Sequence, residues 1–250
     1  MLRLITAYLL LISVALASET WDQATSTANN EVYLESDRAT FYCGCAYSSR
    51  EGGSGSGSIS DAQLGACGYV GRNPSSDSRN ILSWEHVVPF ALMPVYQWAC
   101  NAGPGGSRRR CERNIEAARP MIFDLHNIVP SILQVNQYRS DNRYADLPDN
   151  ASDFGVCEIE DTSNLFEPPD CHKGDVARIW FYMHDTYGVH VPEAEWTMFV
   201  EWSELDPISS WEVLRERRIY EQTGNRNYYV YGTEGNRDRV GLCDWEFIAE

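Results

Sequence analysis

Lysine is nearly missing from this chain: Lys173 is the single one among 250 residues, and the other basic side chains are arginine. Positive charge is scarce as well, with 20 Lys and Arg against 36 Asp and Glu and a formal net charge of −16. A surface this acidic repels nucleic acid, membrane surfaces and other polyanions at low salt. It also resembles a salt-adapted surface, on which added ions screen the repulsion over short distances. No apolar run after the first 16 residues is long enough to span a membrane, and no internal repeat is present. A zinc knuckle lacks its spacing, because Cys43-Gly44-Cys45 faces no second cysteine pair.

The chain opens with Met1-Leu2-Arg3, continues with an apolar stretch from Leu4 to Leu16, and offers a small-residue cleavage site at Ala15-Leu16-Ala17. That is the layout of a secretory leader, so residues 1–17 are expected to be a signal peptide and 18–250 one exported domain. Eight cysteines follow the leader: Cys43, Cys45, Cys67, Cys100, Cys111, Cys157, Cys171 and Cys243. In an oxidising compartment they allow up to four disulfides. Cys100 and Cys111 bracket a Gly/Arg loop and form the best local pair; the other connectivities stay open.

Apolar periodicity predicts helices near 19–36, 175–187, 192–203 and 211–220, and helical turns from Ile115 and Ile132. Gly188 marks the stop of the 175–187 helix. Strands are predicted at 40–45, 64–70, 79–88 and 154–159, with Gly52 to Ser60 a Gly/Ser loop without structure of its own. Asn150-Ala151-Ser152 is a glycosylation sequon in a loop. Within the 79–88 stretch, Trp84-Glu85-His86-Val87-Val88-Pro89 sets an acid beside an imidazole in an apolar run. Neutral His is a general base near neutral pH, and Glu is a hard oxygen ligand suited to Mg²⁺. Arg108, Arg109, Arg110 and Arg113 crowd around Cys111. A cationic loop held by a disulfide in an acidic protein points to phosphate. Arg215, Arg217 and Arg218 read as helix charges, and His172, His184 and His190 as surface or helix residues.

In order along the chain stand Phe41-Tyr42-Cys43-Gly44-Cys45, Cys67-Gly68-Tyr69, the Trp84–Pro89 block, Asp124-Leu125-His126-Asn127 with Pro130, Val135-Asn136, Ala177-Arg178 with Tyr182-Met183, and Trp211-Glu212 with Arg218-Ile219 and Gly224-Asn225. This ordered set resembles the bacterial endonuclease I family, periplasmic or secreted non-specific nucleases of the ββα-metal (His-Me finger) class. The resemblance implies an α+β fold, with a ββα-metal core inside a mostly helical, disulfide-bonded single domain. It implies a Mg²⁺-dependent endonuclease (Mn²⁺ or Ca²⁺ able to take the same place) acting on DNA and RNA with little sequence preference, leaving 5′-phosphate ends. His86 would be the general base. Glu85 and Asn127 would hold the metal, Asn127 from a helix packed against the hairpin that carries His86. Arg108 would contact the phosphate, with Arg109 a live alternative because Ser107 interrupts the family's loop pattern. Arg109, Arg110 and Arg139 would bind nucleic acid.

The chain departs from the pattern in three ways. Val213 stands where the family has Cys, and Cys171 appears where it has Arg, which implies a Cys171–Cys243 bridge. Gln137-Tyr138 replaces Gly-Asp before Arg139. Familiar members are basic. No membrane partner is expected, and the protein is expected to be a monomer. The contrasting reading is a disulfide-rich extracellular binding protein with a vestigial nuclease centre.

Overall fold

A computed structural model describes residues 18, 20–50, 55–100, 108–148 and 154–231. The leader, the sequon and Cys243 lie outside the described residues. The chain is a mixed helix-and-strand, disulfide-bonded protein, and no helix among the described residues is long and apolar enough to cross a membrane.

Strand Leu82–His86 pairs antiparallel with Ile128–Ile132, Glu85 opposite Val129 and His86 opposite Ile128. The chain leaves the second strand directly into helix Leu133–Arg139, which lies against both strands. The second strand is buried at all five positions, so its apolar run has no alternation. The first strand, half-buried at Ser83 and His86, is shorter than the predicted 79–88 because Asp77–Asn80 forms a 3₁₀ turn capped by Ser76.

Helix Lys173–Tyr187 ends as expected, with Gly188 at φ 71° and its N–H on the His184 carbonyl, the left-handed stop that glycine takes without strain. It packs on helix Glu193–Leu205, where Trp180 stacks against Phe199 with ring centroids 5.3 Å apart. Helix Ser210–Thr223 starts from a capping box, the Ser209 hydroxyl accepting from the Glu212 amide while Glu212 accepts from the Ser209 amide.

Arg178 joins these helices in the interior. Its Nε and Nη2 donate to the two carboxylate oxygens of Glu212 at 2.6 and 2.7 Å, and its Nη1 donates to the Asp206 carbonyl at 2.8 Å. Asp175 stands 3.6 Å away. Arg178→Ala strands buried carboxylates without their counter-charge and is expected to destabilise the fold by about 3–5 kcal/mol. Urea denaturation measures this, and a loss under 1 kcal/mol would show the pair to be as weak as a surface one.

Several sequence expectations are corrected. Residues 61–66 form a helix, not a strand, opened by a Ser60/Gln63 capping box. The Gly/Ser segment supplies Gly57–Ser58, which pairs with Ser48–Ser49. Residues 40–45 are turns flanked by a single Ala39–Ala46 bridge. The expected strand at 154–159 is turns, and the ladder lies just beyond it at Glu160–Asp161 and Leu165–Glu167. The first helix stops at Thr27 and passes into a wider turn, Ala28–Val32. His172 is buried: its Nδ1 lies 2.7 Å from Asp175 Oδ2 and its ring packs on Phe41. Arg215 and Arg218 are not loose helix charges; Arg215 donates to the carbonyls of Leu125, His126 and Ile128, and Arg218 pairs with Asp37.

Cys100–Cys111 is bonded as the spacing suggests, and Cys43–Cys157 and Cys45–Cys67 are the longer bridges. Both thiols of the Cys-Gly-Cys pair are thereby consumed, which removes them as metal ligands. Cys171 is disulfide-bonded, and its expected partner Cys243 lies outside the described residues.

Candidate active site

The end of the 82–86 strand opens on a cavity of about 570 Å³, lined among others by Trp21, Glu85, His86, Arg108 and Asn136. Neighbouring strand residues face opposite ways: Glu85 is turned toward Tyr42 and Arg139, His86 toward Trp21 and the Ile122 carbonyl. Because the strand ends at His86, both still reach one cavity.

His86 Nε2 lies 2.7 Å from the Ile122 carbonyl oxygen. A carbonyl can only accept, so the bond assigns the ring proton to Nε2 and leaves Nδ1 as the basic atom. Burial holds the imidazole neutral, its pKa pushed down to about 4, and the cations Arg108 and Arg139 act in the same direction. The Trp21 ring packs against it at 4.9 Å. Nδ1 is therefore an unprotonated acceptor throughout the neutral range.

Glu85 is 3 % exposed. Tyr42 donates its hydroxyl proton to Glu85 Oε1 at 2.9 Å. The Tyr144 hydroxyl, 2.6 Å from that of Tyr42, is thereby left to donate to it. Arg139 Nε stands 3.5 Å from the same Oε1, with its guanidinium 4.5 Å over the Tyr144 ring. Burial pushes the Glu85 pKa up to about 7 against the pull of Arg139 and of the Tyr42 and Ser131 hydroxyls. The second carboxylate oxygen, Oε2, is buried with no hydrogen-bond partner among the described residues. A buried carboxylate oxygen without a partner is unfavourable, and a cation is the partner that would both satisfy it and keep it ionised.

The sequence expectation named Asn127 as a metal ligand, and the fold places it away from the cavity. Asn127 sits in the turn before the second strand, fully buried, with both ends of its amide engaged by Val88: Oδ1 accepts from the Val88 N–H at 2.7 Å and Nδ2 donates to the Val88 carbonyl at 3.1 Å. It is not among the cavity's lining residues. The helix position expected for Asn127 belongs instead to Asn136, which does line the cavity. Asn136 Nδ2 donates to Ser83 Oγ at 2.8 Å and toward the Trp84 carbonyl at 3.4 Å. With the nitrogen engaged on the strand, Oδ1 is the atom left for a ligand.

Among the described residues no three His, Cys, Asp or Glu side chains gather into a metal cage. A carboxylate and an amide on the wall of one cavity instead suit a hard cation that keeps several waters, as Mg²⁺ does.

The arginines also separate. Arg108 lines the cavity, its guanidinium 3.8 Å over the Trp21 ring and Nη1 3.0 Å from Glu112 Oε2. Arg109 and Arg110 are exposed on the helix Arg108–Asn114, which replaces the expected loop at this point. Arg139 is 0 % exposed, donates to the Val87 carbonyl at 2.6 Å, and stands behind Glu85 rather than on a surface open to nucleic acid. Tyr42 and Tyr144 were missed, because a contact across 43 or 102 residues leaves no local pattern. Asn136 could have been found from its place one turn into the helix that follows the second strand.

The family model for endonuclease I matches residues 16–234. An endonuclease-1 of Buchnera aphidicola from Acyrthosiphon pisum is 33 % identical over 77 % of this chain and 73 % of its own length. An extracellular deoxyribonuclease and a periplasmic deoxyribonuclease of Aeromonas hydrophila are each 30 % identical over 88 % of this chain, and over 92 % and 90 % of their own lengths. The chain is thus a nuclease, a phosphodiester hydrolase, and belongs to the endonuclease I family.

Proposed function

We propose that the protein is a Mg²⁺-dependent endonuclease that cuts DNA, and RNA as well, with little sequence preference, and that it works in the periplasm or outside the cell. The observation that carries the reading is one cavity holding a tautomer-locked neutral imidazole, a buried carboxylate with an unpartnered oxygen, and an arginine. In this reading strands 82–86 and 128–132 with helix 133–139 are the ββα-metal core. Export accords with the disulfides and with the extracellular and periplasmic relatives.

His86 Nδ1 takes the proton of the attacking water, while its Nε2–H stays on the Ile122 carbonyl and fixes the ring. Arg108 binds a non-bridging phosphate oxygen, its guanidinium held on the cavity wall by Trp21 and Glu112. Glu85 Oε2 and Asn136 Oδ1 would hold the Mg²⁺, which would supply positive charge for the 3′-oxygen leaving group. Tyr42, Tyr144 and Arg139 orient Glu85 from behind. A 5′-phosphate end follows from loss of that 3′-oxygen. Contacts to phosphate and sugar carry no sequence information, and a phosphate contact serves RNA as it does DNA.

Supercoiled plasmid tests this. With Mg²⁺ it is expected to be relaxed and then degraded, and EDTA is expected to stop the reaction; equal rates with EDTA would overturn the metal assignment. In a salt series ordinary substrate binding weakens steeply, whereas a rate that rises with salt would mark the acidic surface as salt-adapted.

A further inference from the structure

A second cavity adjoins the first. It has a volume of about 410 Å³ and shares Trp21, Asp22 and Arg108 with the catalytic one. The remaining lining includes Arg109, Arg113 and Arg119, with Glu112. Four guanidinium groups thus meet two carboxylates in a protein whose formal net charge is −16. One of the carboxylates, Glu112, is engaged by Arg108 at 3.0 Å.

The placement is a product of the fold. Arg109 and Arg113 are four residues apart on helix Arg108–Asn114 and so share a face. Cys111, buried and bonded to Cys100, anchors the helix. Arg119 comes from the next helical turn, Arg119–Ile122, and its Nε donates to the Glu112 carbonyl at 3.0 Å. That bond ties one edge of the guanidinium and leaves the two terminal nitrogens as donors. Five arginines elsewhere are engaged in ion pairs: Arg72 with Asp161, Arg143 with Glu195, Arg178 with Glu212, Arg218 with Asp37 and Arg226 with Glu216.

We infer that this arginine-lined cavity holds a second phosphate of the same nucleic-acid strand, beyond the one at Arg108. The strand then runs from the catalytic cavity across Trp21 and Arg108 onto Arg109, Arg113 and Arg119. The inference rests on the nuclease reading and adds to it the path of the flanking strand. It also accounts for how an acidic protein holds a polyanion. Cations concentrated beside the scissile position attract the strand locally, while acidic surfaces elsewhere repel it.

The test is binding of a fluorescent single-stranded 12-mer and of a dinucleotide in EDTA, where no cutting occurs, to the full protein and to Arg109→Ala/Arg113→Ala. Arg217→Ala is the comparison: Arg217 is 63 % exposed, 4.0 Å from Glu221, and lines neither cavity. The parent is expected to prefer the 12-mer. The double variant is expected to bind it about tenfold or more weakly, with a shallower salt slope, each lost single-strand phosphate contact changing it by about 0.7. Arg217→Ala should keep the parent slope. Equal slopes and affinities for the parent and the double variant would overturn the inference. So would equal losses in the double variant and Arg217→Ala, which would be a general charge effect. Plasmid cleavage by the parent is scored separately, so failure of the second phosphate site is distinguishable from failure of the nuclease reading.

Discussion

His86→Ala is expected to slow Mg²⁺-dependent plasmid cleavage by about 10²–10⁴-fold, the range general-base catalysis contributes. The residue left behind offers no acceptor where Nδ1 stood, and water alone is a poor base. The argument rests on two observations that act together. The Ile122 carbonyl fixes which nitrogen carries the proton, and burial keeps the other unprotonated. Initial rates of supercoil loss measure the effect. Thermal unfolding serves as the control, because the ring also packs on Trp21. A rate within twofold of the parent would remove His86 from the chemistry. A rate loss matched by unfolding at the assay temperature would be a folding defect, and assays at lower temperature separate the two.

The second large effect divides the asparagines. Asn136→Ala is expected to raise the Mg²⁺ concentration for half-maximal rate at least about tenfold, since even residues one step removed from a metal alter its affinity by about 10–100-fold. Its stability should change little, because Asn136 is half-buried on the cavity wall. Asn127→Ala should do the reverse. It leaves the Val88 N–H and carbonyl unpaired in the interior, a loss of about 2–6 kcal/mol when each unsatisfied group costs about 1–3. Urea denaturation and Mg²⁺ titration of both variants give four numbers. If Asn127→Ala moves the Mg²⁺ titration while Asn136→Ala leaves it in place, Asn127 is the ligand after all and Val88 a secondary contact.

The cysteine framework also holds the partner of the Glu85 carboxylate in place. Tyr42 lies between Phe41, whose amide donates to the Pro130 carbonyl at 2.7 Å, and Cys43, which is bonded to Cys157. Two residues on, Cys45 is bonded to Cys67. The segment carrying the Glu85 partner is thus tethered to the second strand and by two bridges, which fixes Oε1 and leaves Oε2 as the oxygen without a hydrogen bond among the described residues.

How legible the protein is in its sequence depends on the range of the interaction. Helices 173–187 and 210–223 follow from apolar spacing, Gly188 and Gly224, all of which act within a few residues. The Cys100–Cys111 bridge spans 11 residues and was equally plain. The Trp84–Pro89 block names an acid and a base without reference to the rest of the chain. At 61–66 the capping-box spacing of Ser60 and Gln63 is a local helix signal that outweighs the apolar residues around Cys67. What chain order could not rank was which asparagine reaches the cavity and which arginine reaches solvent. Asn127 and Asn136 both follow His86 within 50 residues, and only the pairing of strands 82–86 and 128–132 turns one onto Val88 and the other into the cavity. Arg139 carries the same charge as Arg109, but a helix end packed against Val87 and Glu85 takes it into the interior, where its charge serves a carboxylate instead of a phosphate. Residue type sets the chemistry a side chain can do; burial and the partner across the fold set which chemistry it does.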